Sequence, residues 1–80
     1  MFDEYEILVS DGLEDAFIGV AQQYDKVFAV YDREKAIEIF MVRDEMSWKD
    51  AEEYFDFNVV QAWVGKNTPA FVTQCDISEL

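Results

Sequence analysis

The sequence contains no histidine. That removes the commonest general base and the usual activator of a side-chain nucleophile. Cysteine occurs once, as Cys75, so no disulfide can staple the chain to itself. Without an imidazole beside it, Cys75 is no thiol nucleophile, and it reads as an inert residue. Zinc sites built from cysteine and histidine are excluded with them. No glycine-rich phosphate-binding motif is present. Basic residues are scarce: six Lys and Arg face 18 Asp and Glu, for a net charge of −12. Such a balance disfavours direct binding to nucleic acid or to an anionic membrane. Apolar runs such as Ile39 to Val42 are far too short to span a bilayer. A single free cysteine and the lack of a signal peptide suggest a reducing, cytoplasmic setting.

What is present is apolar and aromatic. The chain is 51 % hydrophobic, which argues for a folded domain despite the charge. Eighty residues leave room for one core and so for one domain, with residues 1–4 and 76–80 expected to be mobile.

Ser47 to Gly65 reads as one long helix. Ser47 can cap it, with Asp50 three residues on in the form of a capping box. Gly65 suits its C-terminal end, and Pro69 lies beyond. Trp48, Ala51, Phe55, Val59 and Ala62 form a core-facing stripe at helical spacing. Phe57, Val60 and Val64 mark a second apolar side. A helix apolar on two sides is covered twice, by its own fold or by a partner. Tyr54 and Asn58 flank the stripe. A buried Asn58 would need partners, in the turn near Thr68 and Pro69, at a strand end, or in a small ligand shared with Tyr54.

The rest is read in order. Tyr5 to Val9 suits a short strand. Residues 13–24 fit either a helical stripe, with Asp11 and Glu14 as its capping box, or a strand. Gly19 in mid-segment and the turn-like Asp25-Lys26 favour a strand over 16–23, paired in a hairpin with a strand at Val27–Tyr31. Asp32 caps a second helix over 33–45, with Ala36, Ile37, Phe40 and Met41 on one face. Lys66-Asn67-Thr68 is a turn, and residues 70–73 form an edge strand entered through Pro69. The order β-β-α-α-β, with an optional strand in front, predicts an α+β fold: a small antiparallel sheet with two helices on one face.

Three patches stand out together: Asp11-Gly12-Leu13-Glu14-Asp15-Ala16-Phe17-Ile18-Gly19, then Val30-Tyr31-Asp32-Arg33-Glu34-Lys35, then Glu53 to Asn58 running into Ala62-Trp63-Val64-Gly65-Lys66-Asn67-Thr68-Pro69. In order and spacing they resemble a group of short uncharacterised proteins carried by bacteriophages and prophages. The resemblance implies a phage origin and a setting in the host cytoplasm. It brings no catalytic residues.

Two chemistries remain for the site. The carboxylate pairs Glu34 with Glu38 and Glu52 with Asp56 lie one helical turn apart, a spacing that holds a divalent cation loosely, serves as an acid and base pair if one carboxyl is desolvated, or simply gives a solvated face. The other chemistry is binding. Glu52, Glu53 and Asp56 would steer a basic partner, while Phe57, Val60 and Val64 supply short-range contact. A net charge of 12 equals that on about 20 Å of duplex, so DNA-like density requires the acids to converge. The expectation is a non-enzymatic acidic protein, needing no cofactor, that engages a basic surface of a host protein. A surface that normally holds nucleic acid is one candidate, with a DNA-mimic type of inhibition or regulation as the corresponding role. The alternative is a homo-oligomeric assembly module joined through Phe57, Val60 and Val64.

Overall fold

In the computed structural model of the chain, residues 6–80 are described. Two strands form a hairpin, β1 (Phe17–Gln23) and β2 (Lys26–Asp32). Two helices follow, α1 (Arg33–Arg43) and α2 (Trp48–Phe55), then β3 (Ala70–Val72). Short 3-10 turns occupy Glu14–Ala16 and Ile77–Glu79. The fold is the expected small α+β sandwich, with β2 at the centre of a sheet ordered β1-β2-β3.

One feature of the sheet differs from expectation. β1 and β2 are antiparallel, but β2 and β3 are parallel, so the sheet is mixed. The two helices form a crossover long enough to carry the chain back to the starting end of β2, as a parallel neighbour requires. No strand forms at residues 6–9; Tyr5 and residues 1–4 lie outside the described residues. Both edges of β2 are already taken, leaving no central position for a further strand.

Residues 13–24 resolve as a 3-10 turn leading into β1. The register slips between Phe17 and Gly19, where Gly19 adopts φ 152, and is regular from Gly19 to Gln23. Glycine is suited to such a bulge because it alone adopts that backbone without strain.

Both helix starts follow their local sequence. The Asp32 carboxylate accepts from the Lys35 backbone N–H at 3.2 Å, and the Ser47 hydroxyl accepts from the Asp50 N–H at 3.2 Å. α1 ends near its expected limit, where Glu45 turns to φ 52. The expected helix over 47–65 is cut short. After Phe55 the winding widens into a π-helical turn over Asp56–Val60 and then stops. The physical reason lies in competing bonds. Asn58 Nδ2 donates to the Tyr54 carbonyl at 3.1 Å, and the Val64 N–H goes to the Thr68 hydroxyl at 2.9 Å. Two adjacent β-branched residues, Val59 and Val60, weaken the helix at the same place. Gly65, at φ 117, opens the turn leading to β3 instead of closing the helix.

The core lies between the sheet and the helices. Leu13, Ala16, Ala29, Tyr31, Ala36, Ile37, Phe40, Ala51 and Phe55 are buried there, with Val59 and Phe71 packed against them. Aromatic rings run through it: Tyr31 stacks on Phe71 at 5.7 Å, and Phe71 meets Phe55 edge-on at 4.8 Å. Such contacts add about 0.5–1.5 kcal/mol each beyond burial. The Tyr31 hydroxyl accepts the Ser10 N–H at 2.8 Å, tying the N-terminal segment to the central strand. Two expected core residues are elsewhere. Ala62 is exposed because the helix has ended before it, and Trp48, the first residue of α2, is 39 % exposed.

Candidate interaction surface

The second apolar side expected of the long helix exists as an exposed segment, not as a continuous helix face. Phe57 is 73 % exposed, Val60 46 % and Val64 65 %. Phe57 and Val60 sit on the π turn, whereas Val64 follows it in the irregular stretch. Among the described residues no element of the fold buries any of the three. Trp63 joins them, 71 % exposed. It escaped the helical reading because its angular position there falls on neither apolar side. A different signal marks it: from Phe57 to Gly65 the chain carries no charge at all.

This segment is held from its far end. The Thr68 hydroxyl accepts from Val64 N–H and donates to the Gly65 carbonyl at 2.6 Å. Asn67 Nδ2 donates to the Glu6 carbonyl at 3.0 Å. Lys66 pairs with Asp25 at 3.6 Å beside the hairpin turn. The Asn-Thr-Pro sequence therefore acts as a brace that displays the apolar residues.

The three carboxylates expected to act together are divided. Arg33, the first residue of α1, places its guanidinium 3.4 Å from Glu52 and 3.0 Å from Asp56, and 5.6 Å from the Phe55 ring centre. Glu52 and Asp56 thus share one internal cation. Glu53 is exposed, and among the described residues it makes no ion pair. It lies four residues before Phe57, one turn along the same side. The other carboxylate pair is also interrupted, since Glu38 approaches Lys35 at 3.8 Å. Among the described residues no group of three or more potential metal ligands is brought together.

Tyr54 and Asn58 line an open cleft of about 380 Å³ between residues 8–13, the end of α1 and the segment after α2. Leu13, Phe40, Val59 and Phe71 contribute apolar walls. Arg43, stacked on Phe40 at 4.6 Å, contributes a cation. Asn58 is exposed, and its amide serves the Tyr54 carbonyl of its own helix. The residue is therefore not buried as expected, and its amide bonds its own helix and not the turn at Thr68 and Pro69. The cleft wall carries no imidazole or thiol, and Cys75 is exposed outside it. The apolar walls suit an apolar side chain.

Comparison with family models, with curated proteins and with solved structures found no match. No helix among the described residues is long and apolar enough to cross a membrane.

Proposed function

We propose that this chain is a non-enzymatic, phage-encoded acidic protein that binds a basic surface of a host protein in the host cytoplasm and inhibits or regulates it. The observation that carries this reading is the exposed segment of Phe57, Val60, Trp63 and Val64, with Glu53 beside it, on a protein of net charge −12. Aromatic and aliphatic anchors supply short-range energy, and the surrounding acids raise the encounter rate with a cationic partner. Phage origin is supported by the resemblance of the three sequence patches.

Charge density shapes the kind of partner. Duplex DNA carries one charge per about 1.7 Å. The domain is 39 Å along its longest axis, so its twelve net charges are sparser than those of a duplex of equal length. A basic protein surface with an apolar pocket suits the molecule better than a site that reads a continuous run of phosphates.

The alternative is self-association through Phe57, Val60 and Val64. Its support is that these three side chains are uncharged and exposed, so two copies can bury them against each other. Val60→Asp separates the two readings. Because Val60 is half exposed, the variant stays folded. The host-binding reading expects salt-labile capture of a basic protein from host lysate by wild type and loss of that capture in Val60→Asp, with sedimentation unchanged. A wild-type dimer that becomes monomeric in Val60→Asp establishes the alternative. Capture that ignores both salt and the substitution removes the proposed surface.

A further inference from the structure

We propose that β1 pairs edge to edge with the β1 of a second copy, joining two three-stranded sheets into one six-stranded sheet. The inference is independent of the host-binding surface, which lies on other residues.

The two edges of the sheet are unequal. β3 has three residues and is entered through Pro69, and both features discourage further pairing. β1 has seven residues and no proline. Among the described residues its only strand neighbour is β2, so one row of its N–H and C=O groups points away from the sheet. Natural edges of this length are normally blunted with charge, lysine above all. Here the chain has no charged residue from Ala16 to Tyr24, although its net charge is −12. A second copy can approach along this edge without placing carboxylate against carboxylate. Phe17 and Ile18, 45 % and 49 % exposed, add apolar surface at one end.

The ladder also fixes the register. Gln23 and Lys26 close the hairpin across a two-residue turn, so Gln23, Ala21 and Gly19 direct their backbone groups to β2. Val20 and Gln22 then direct theirs outward. The bulge between Phe17 and Gly19 leaves 19–23 as the regular stretch. Within it, antiparallel self-pairing satisfies the outward groups best when Val20 of one copy faces Gln22 of the other, in both directions. The two-fold axis then passes between the two Ala21 residues. These form a non-hydrogen-bonded pair with Cα atoms about 4.5 Å apart. Their side chains are small, and they lie on the face that Ala21 shares with Phe28, its partner in β2.

Cysteine scanning on a Cys75→Ser background tests this register, since Cys75 is the sole native thiol. A disulfide requires Cα atoms about 4.4–6.8 Å apart. Ala21→Cys should cross-link most chains into a dimer under mild oxidation. Gln23→Cys should not, because the two copies of residue 23 are offset by four residues, about 13 Å at 3.3 Å per residue. Sedimentation of the unmodified protein should give twice the 9.4 kDa chain mass. Gln22→Pro, which deletes an outward N–H that the hairpin does not use, should return it to one chain mass with its circular dichroism retained. If Gln22→Pro unfolds, the cross-linking pattern alone decides. A wild-type monomer at all concentrations overturns the proposal. So does a dimer that cross-links at residue 23 and not 21, one dispersed by Val60→Asp, or a monomer whose β1 takes up an extended peptide instead.

Discussion

Residues 48–55 and 56–64 belong to one predicted helix and end in different states. The first half is α-helical, capped by Ser47, and buries Ala51 and Phe55 completely. The second half widens into a π turn, stops, and leaves Phe57, Trp63 and Val64 in solvent. The second half is the more apolar of the two and carries only Asp56 as a charge, so hydrophobicity does not explain why it is the half left exposed. The first half sets Ala51 and Phe55 in the core, where burial repays ordering, whereas the second contributes only the partly buried Val59. A helix continues while tertiary contact supports it. Where contact runs out, local competitors such as the Asn58 amide and the Thr68 hydroxyl decide the backbone.

Two phenylalanines on either side of the boundary give the largest test of that difference. Phe55 is fully buried against Phe71, and Phe55→Ala should cost about 3–5 kcal/mol, close to the whole stability of so small a domain. Phe57→Ala, two residues on, should change stability by no more than about 0.5 kcal/mol. Urea melts of the two variants supply both numbers. Equal losses would mean that the second half is also supported by packing, contrary to its exposure.

The starts were legible because they are local. Asp32 and Ser47 each sit three residues before the N–H they accept from, and no knowledge of the rest of the fold is needed to see it. The hairpin was legible for the same reason, through Gly19 and the turn signal at Asp25-Lys26, although the turn itself falls one residue earlier, at Tyr24-Asp25, and Lys26 already belongs to β2. The helix end was not, because it depends on Thr68 reaching back to Val64 and on where contact with the core gives out. The parallel pairing of β3 depends on the path of the whole helical crossover. At the surface, Phe57, Val60 and Val64 were recognised as a second apolar side, but Trp63 was hidden by the assumption of continuous helical spacing. The division of the acids was also hidden, since Arg33 lies 19 residues from Glu52 and 23 from Asp56.

Arg33 bridges the boundary, with Glu52 on the α side and Asp56 at the start of the π turn. Its side chain is 24 % exposed, while those of the two carboxylates are 41 % and 47 % exposed, so solvent screens much of the attraction. Together with its packing on Phe55, Arg33→Ala should cost about 1–2 kcal/mol. Arg33→Met should recover the packing part and leave a deficit that shrinks as salt rises. A deficit indifferent to salt would assign the whole effect to packing. Hydrogen exchange adds a sharper readout. Loss of Arg33 should speed exchange in the π turn more than at the middle of α2, because the π turn has no fully buried residue and only Val59 packed against the core.

The smallest expected effect comes from a turn at the opposite end of the chain, where a side chain also occupies backbone groups. Glu14 accepts the Gly12 N–H at 3.2 Å, as Asn58 occupies the Tyr54 carbonyl. The difference is charge. Bonds from its own backbone N–H and from that of Gly12 hold the Glu14 carboxyl below its ordinary value of 4.5. A carboxyl whose pKa is lower when folded stabilises the fold in its ionised form. The contribution is complete above the unfolded value and disappears as pH falls through the folded one. Glu14→Gln should therefore be less stable than wild type at pH 7, and the two melting curves should converge as pH is lowered past 4.5. Asn58→Ala should show no such convergence, because its amide does not titrate. If the Glu14→Gln deficit persisted unchanged into acid, the carboxylate would be holding the turn by shape alone, as Asn58 does.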